Sequence, residues 1–150
     1  MRLYLVQHGQ ALFREQDPER SLSDEGVAQT QKIADFFKGK DLSVDIIWHS
    51  QKARAIQTAH ILSNVISHQT IEERHDLNPM DSADMVAQEL IGLNKDVMIV
   101  GHLPFLQKLA SLLLTGRQGL DIISFRYSAV VCLEFQEEWK VLWFLTLDLV

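Results

Sequence analysis

A chain of 150 residues with 47% apolar and 23% charged residues has the composition of one globular domain, able to bury about two-thirds of its unfolded surface. No apolar run approaches the ~20 residues of a membrane span, no basic stretch with an apolar core marks a secretory signal, and a formal charge of −6 removes the basic face that broad nucleic-acid binding needs. The lone cysteine, Cys132 in an apolar run, excludes an internal disulfide and reads as a small core side chain in a reducing, cytoplasmic setting.

The chain opens on Leu3-Tyr4-Leu5-Val6, a short buried strand stopped by Gln7-His8-Gly9. A histidine at the end of a rigid strand is well placed for chemistry, and a glycine after it lets a ligand approach the main chain. Residues 10 to 22 form a long loop over that strand's end, and loops of this length in compact domains are often functional. Ser23 then reads as the N-cap of a helix with acids in its first turn. Its apolar stripe is Val27, Ile33, Ala34 and Phe37, and Gly39 ends it.

Val44 to Trp48 predicts the second strand, closed by His49-Ser50, with Ser50 as a cap for the next helix. That helix buries Ala55, Ile56, Ala59, Leu62 and Ile66, and carries Arg54 off the stripe in its first turn. Thr70 to Glu73 predicts a short edge strand, and Ala83 to Ile91 a third helix. Val97-Met98-Ile99-Val100 then repeats the opening pattern, stopping at Gly101-His102. Pro104 lies in the first turn of a fourth helix that Gly116 ends. Ile122–Phe125, Ala129–Phe135 and Lys140–Leu147 read as strands, the last two joined at Gln136-Glu137-Glu138.

Strand–helix alternation followed by a hairpin predicts a single α/β domain over 1–150. Its architecture is a three-layer sandwich with a mostly parallel central sheet, helices on both faces and a C-terminal antiparallel hairpin. Ligands in such sheets bind beyond the carboxyl ends of the strands. His8, Ser50 with Arg54, and His102 all lie at that edge. Two imidazoles and a guanidinium there suit a phosphoryl group: arginine's fork matches phosphate oxygens, and helix N-termini add N–H donors. A neutral imidazole can attack phosphorus, splitting hydrolysis into transfer to histidine and then to water. A second, protonated histidine would stabilise charge on the equatorial oxygens.

Four motifs then coincide. Gln7-His8-Gly9 is similar to an Arg-His-Gly signature. Arg20-Ser21-Leu22-Ser23-Asp24-Glu25-Gly26 matches Arg-Pro-Leu-Ser/Thr-x-x-Gly. Residues Ser50-Gln51-Lys52-Ala53-Arg54-Ala55-Ile56-Gln57-Thr58 match Ser-Pro-x-x-Arg-Ala-x-Gln-Thr, and Gly101-His102-Leu103-Pro104 matches Gly/Ser-His-x-Pro. In this order the chain resembles the histidine phosphatase superfamily, with its phosphoglycerate-mutase-like fold, and within it the small SixA-type phosphohistidine phosphatases. The resemblance implies a hydrolase in which His8 accepts the phosphoryl group. Arg54 and His102 would act with it and, with Gln7 and Arg20, bind the phosphate. It implies no cofactor or metal, and as partner a phosphorylated protein such as a histidine phosphotransfer domain, or a small phosphate ester.

Asp76, in Arg74-His75-Asp76-Leu77-Asn78-Pro79, stands where the family can carry an acidic proton donor; the alternative is a solvated loop acid. Gln7 departs from the family arginine, losing its charge and five-donor fork. That opens a second reading, a phospholigand-binding or regulatory relative with little turnover. A third is a metal-dependent hydrolase using His8, His49 and His102, for which no ligand spacing is evident. His49 could also contact substrate. His60, His68 and His75 read as surface side chains, and Trp139 and Trp143 as sheet packing.

Overall fold

The computed structural model describes residues 1–150. Its elements in chain order are β1 (Arg2–Gln7), α1 (Asp24–Phe37), β2 (Ile46–Ser50), α2 (Ala53–Ser63), β3 (Thr70–Arg74), α3 (Asp84–Leu93), β4 (Val97–Gly101), α4 (Phe105–Thr115), β5 (Val130–Phe135) and β6 (Trp139–Leu145), with a 3₁₀ turn at Leu147–Leu149. The sheet order is β3-β2-β4-β1-β5-β6. Strands β1 to β4 run parallel, and β5 pairs antiparallel with both β1 and β6. This is the α/β sandwich with a terminal hairpin that the alternation of elements predicts.

Strand β1 is central, so both its faces are buried. Leu3 and Leu5 enter the core under α3 and α4 with Leu90, Phe105 and Leu109. Tyr4 and Val6 enter the opposite core with Ile33 and Phe37 of α1 and Leu62 of α2. Each such side chain contributes about 1.5–3 kcal/mol on full burial. The helix after β1 therefore lies on one face, and the helix after the adjacent β4 on the other. Where winding reverses between neighbours, the sheet opens a crevice at the strand ends.

Several local expectations are corrected. Ser23 does cap α1, accepting from the Gly26 N–H at 3.0 Å, but Val27 is 43% exposed. The buried stripe runs instead through Gly26, Thr30, Ile33, Ala34 and Phe37. Ile56 is half-buried while Thr58 takes its place in the α2 core contact. Ile91 is likewise exposed. Ile122–Phe125 is not a strand. Ile123 and Phe125 are buried, but β5 already pairs along β1's free side. The segment is instead irregular, packing Ile123 and Phe125 into the core with Leu3 and Phe105, with the Phe125 N–H bonded locally to the Ile123 carbonyl at 3.1 Å.

The long loop after β1 is ordered by its own bonds. Ala11 bridges to Leu22, the Leu12 N–H reaches the Ser21 carbonyl at 2.8 Å, and Asp17 accepts from the Glu19 and Ser21 N–H groups at 3.0 Å each. The start of α1 presses on this loop: a Cβ at Gly26 would stand 2.0 Å from the Gln10 carbonyl oxygen. Only glycine permits that approach.

Candidate active site

The ladder between β1 and β4 delivers the two histidines side by side. Gln7 and Gly101 are register partners, and the His8 N–H continues the pairing to the Gly101 carbonyl at 3.0 Å. The His8 and His102 rings lie 5.0 Å apart, centroid to centroid. Arg54, from the first turn of α2, places its Nε 3.3 Å from His8 Nε2. The three groups that the sequence put at separate strand ends therefore meet at one point.

The protonation of His8 follows from its bonds. Its Nδ1 lies 2.7 Å from the Gly9 carbonyl oxygen, which can only accept, so Nδ1 carries the hydrogen. Nε2 is left with its lone pair, facing the Arg54 N–H. The ring is 8% exposed, and burial pushes its pKa down to about 4, with Arg54 and Arg20 adding to the effect and the Gly9 carbonyl opposing it. A neutral imidazole with a free Nε2 lone pair is a nucleophile at neutral pH.

His102 is set by Ser50. The Ser50 hydroxyl accepts from the Lys52 N–H at 3.3 Å and lies 2.5 Å from His102 Nε2, where either group can donate. With Ser50 as donor, Nδ1 carries the ring proton, and this atom is buried with no partner, which is costly for a polar group. Ser50 is thus not a helix cap: α2 begins after Lys52 without a side-chain cap, and the hydroxyl serves the histidine instead. Burial, with His8, Arg54 and Lys52 nearby, holds His102 down to about 3, so it donates as a neutral ring.

Arg54 has its pKa lowered by burial first and by Arg20 second, with Tyr127 opposing. Arg20 comes from the loop in a left-handed backbone conformation (φ 49°), its Nε donating to the Leu12 carbonyl at 3.2 Å. Neither arginine takes part in any ion pair of the chain. Two guanidiniums close enough to lower one pKa, without a counter-ion in a chain of charge −6, make a locally positive pocket. Gln7, 9% exposed, has an amide oxygen that is buried and unpartnered.

Asp76 is not drawn into this group. Arg74 grips its carboxylate in a two-bond fork, at 2.9 and 2.6 Å, and this guanidinium holds Asp76 below the usual carboxylate range. Arg74 is itself fixed by Glu89 at 2.7 Å and by stacking over Trp48 at 4.2 Å. A carboxylate kept ionised is a poor proton donor. His49 turns its ring toward His60 of α2, 6.1 Å away, rather than toward His8 and His102. Tyr127, which no motif marks, stands with its ring 5.7 Å from that of His8.

The two buried neutral histidines couple stability to pH. The unfolded chain binds a proton on each near pH 6.5, while the folded rings stay neutral down to about 4 and 3. Their contribution is therefore intact above about pH 6.5 and is lost as pH falls toward the folded values. Between pH 6.5 and 5 each costs about 1.5 kcal/mol, so calorimetry is expected to show Tm falling by roughly 5–10 °C. His102→Asn should halve that slope; an unchanged slope would contradict the assignment.

Comparison with known proteins agrees with the fold. The family model of the histidine phosphatase superfamily (branch 1) matches residues 3–90, and the chain belongs to that superfamily. It is accordingly a phosphatase-type hydrolase. No curated protein sequence matches it significantly. Among solved structures, the protein histidine phosphatase SixA complexed with tungstate is similar at 22% identity over 99% of this chain and 98% of that one, with a TM-score of 0.85. A protein of Agrobacterium tumefaciens, described as a candidate phosphohistidine phosphatase SixA, is 25% identical over 97% of each chain, with a TM-score of 0.77. Phosphoserine phosphatase of Entamoeba histolytica, in complex with 3-phosphoglyceric acid, is 21% identical over 97% and 96%, with a TM-score of 0.68. No helix of this chain is long and apolar enough to cross a membrane.

Proposed function

We propose that this chain hydrolyses a phosphoryl group by transferring it to His8 Nε2 and then to water, and that its substrate is phosphohistidine on a protein, as in SixA-type enzymes. The observation carrying this reading is the His8 ring: Nδ1–H held by the Gly9 carbonyl at 2.7 Å, Nε2 free beside the Arg54 N–H at 3.3 Å. His8 attacks phosphorus, and the bond to the leaving group breaks with its electron pair going to that group. Arg54, Arg20 and the His102 Nδ1–H receive the equatorial oxygens. Water then attacks phosphorus, the P–N bond breaks with its electron pair returning to Nε2, and inorganic phosphate leaves carrying the water oxygen and its protons. The engagement of Asp76 with Arg74 favours a leaving group that departs without a carboxylic acid, and a phosphorylated imidazole is one. The test is to quench the protein during turnover of a labelled phosphohistidine domain: acid-labile label on the wild type and none on His8→Ala is expected. Absence of label on an active wild type would remove the covalent route.

The buried, unpartnered oxygen of Gln7 keeps the second reading, a phospholigand-binding relative with little turnover. A charge-assisted hydrogen bond contributes on the order of 1.5–3 kcal/mol, and glutamine cannot supply the charge. Gln7→Arg is expected to raise turnover of phenyl phosphate at least about tenfold. A steady-state rate equal to or below the wild type would show that the pocket is built around glutamine.

A further inference from the structure

Gln57 and Thr58 close the motif over residues 50–58, yet neither is a nucleophile or a phosphate ligand. They follow Arg54 by three and four positions, the spacing that puts side chains on one face of a helix. Both reach across to the loop between β1 and α1. The Thr58 hydroxyl donates to the Arg54 carbonyl at 2.8 Å and accepts the Gly9 N–H, next to His8, at 2.9 Å. The Gln57 amide oxygen accepts the Leu22 N–H, two residues past Arg20, at 2.7 Å. These anchors hold the two ends of the loop, which meet closely: a Cβ at Gly9 would stand 3.1 Å from Leu22 Cδ2. Between them Asp17 folds the turn that sets Arg20, its carboxylate accepting the Ser21 N–H at 3.0 Å and its carbonyl the Arg20 N–H at 2.9 Å. The other backbone bonds of the loop run within itself, such as Leu12 to Ser21 and Ser23 to Gln10. The Leu22 N–H donates to no main-chain carbonyl, and Gln57 is exposed, so this glutamine supplies a bond rather than core packing.

A tie between loop and helix is needed because the two arginines repel. The Arg20 charge acts on both Arg54 and His8, lowering their pKa values, and neither guanidinium has a carboxylate partner. In the empty site that repulsion pushes the loop away from α2. We propose that Gln57 is a positioning residue: its bond to the Leu22 N–H holds the loop on α2, so that Arg20 and Arg54 meet one phosphoryl group as a preset pair. The proposal rests on Arg20 being a phosphate ligand, as in the function proposed above, and adds what keeps it in place. Gln57 touches no reacting atom. Its effect is preorganisation: a guanidinium held before the anion arrives loses less freedom on binding, and a displacement of about 1 Å at such a group can cost roughly 10²-fold in rate.

The experiment is a cycle of substitutions in the full chain, read by the Kd for inorganic phosphate and by kcat/KM on phenyl phosphate. Gln57→Met keeps the side chain's length and removes the acceptor. It is expected to raise Kd and to lower kcat/KM, each at least about fivefold, with the melting temperature as the check on the fold. Gln57→Ala, which also lacks the acceptor, should do the same. In the Arg20→Ala background, Gln57→Met should change either quantity less than about twofold, because the group it positions is already gone. A general loosening of the structure would not spare that background. Amide hydrogen exchange followed by NMR gives the local readout: Leu22 should lose protection in Gln57→Met, while Gly9, held by Thr58, keeps it. No loss in Gln57→Met, a loss of equal size in both backgrounds, or an unchanged Leu22 exchange overturns the positioning role. An Arg20→Ala protein with wild-type Kd and rate removes Arg20 from the proposed function, and the role of Gln57 with it. A wild type that binds phosphate but shows no turnover overturns the phosphatase reading alone, and the Kd cycle then decides the role of Gln57.

Discussion

In the His8→Ala protein, turnover of phenyl phosphate is expected to fall roughly 10⁴-fold or more, while the affinity for inorganic phosphate changes less than about fivefold. The two halves of this result come from different atoms. Removing the imidazole removes the only lone pair at the site that the Gly9 carbonyl has prepared for attack, so the covalent route closes. In the proposed mechanism binding rests instead on Arg54, Arg20 and His102, whose charges and N–H groups survive the substitution. Arg54 even loses its one neighbour at 3.3 Å and is free to turn fully to an anion. Steady-state kinetics and isothermal titration on one preparation separate the two quantities, with the melting temperature as a check on the fold. A rate near that of the wild type would mean that another group attacks phosphorus. A large loss of phosphate affinity would make His8 a ligand to the anion as well as its acceptor.

Much of this site is legible in the sequence because it is built where strands end. An apolar run that stops at His8 and another that stops at His102 locate two parallel strand ends on one sheet edge, and Arg54 follows Ser50 by four positions, within one helical turn of a third. What was not legible depends on three-dimensional neighbours. Ser50 before a helix reads as a cap, since nothing local shows that β4 will bring His102 Nε2 to 2.5 Å from its hydroxyl. The charge state of His102 depends on its neighbours in the same way: the ring is 1% exposed, and burial holds its pKa down to about 3. Tyr127 carries no motif, yet a signal existed. Val6 pairs with Val130 and Leu5 with Val131 in antiparallel register, so continuing that register sets Ser128 beside His8 and Tyr127 beside Gly9. Recognising β5 as the antiparallel neighbour of β1 would have been enough to find it. Ile122–Phe125 failed in the opposite direction, because alternating burial is shared by a strand and by a segment that merely lies across the core.

Replacing Arg54 with alanine should cut kcat/KM on phenyl phosphate roughly 10²–10³-fold, with lysine recovering at most about a tenth of the loss. Arg54 is partly buried in the folded chain, and its pKa is lowered by that burial and by Arg20. A charge already partly removed from water and set 3.3 Å from the His8 Nε2 needs less reorganisation when negative charge spreads over the phosphoryl oxygens. Lysine could bring a charge to the same place but not the planar fork, and its ammonium is more strongly hydrated. A purely structural loss would also lower the rate, so a second readout is required. Arg54 is one of the causes holding His8 at about 4, and in Arg54→Ala the His8 ring should titrate at higher pH, followed by its NMR resonance. Burial is the larger cause, so the ring stays well below 6.5. Since in the proposed mechanism Arg20 meets the same anion, Arg54→Ala combined with Arg20→Ala should lose less than the product of the two single losses, because the repulsion by which Arg20 lowers the Arg54 pKa is relieved by either substitution.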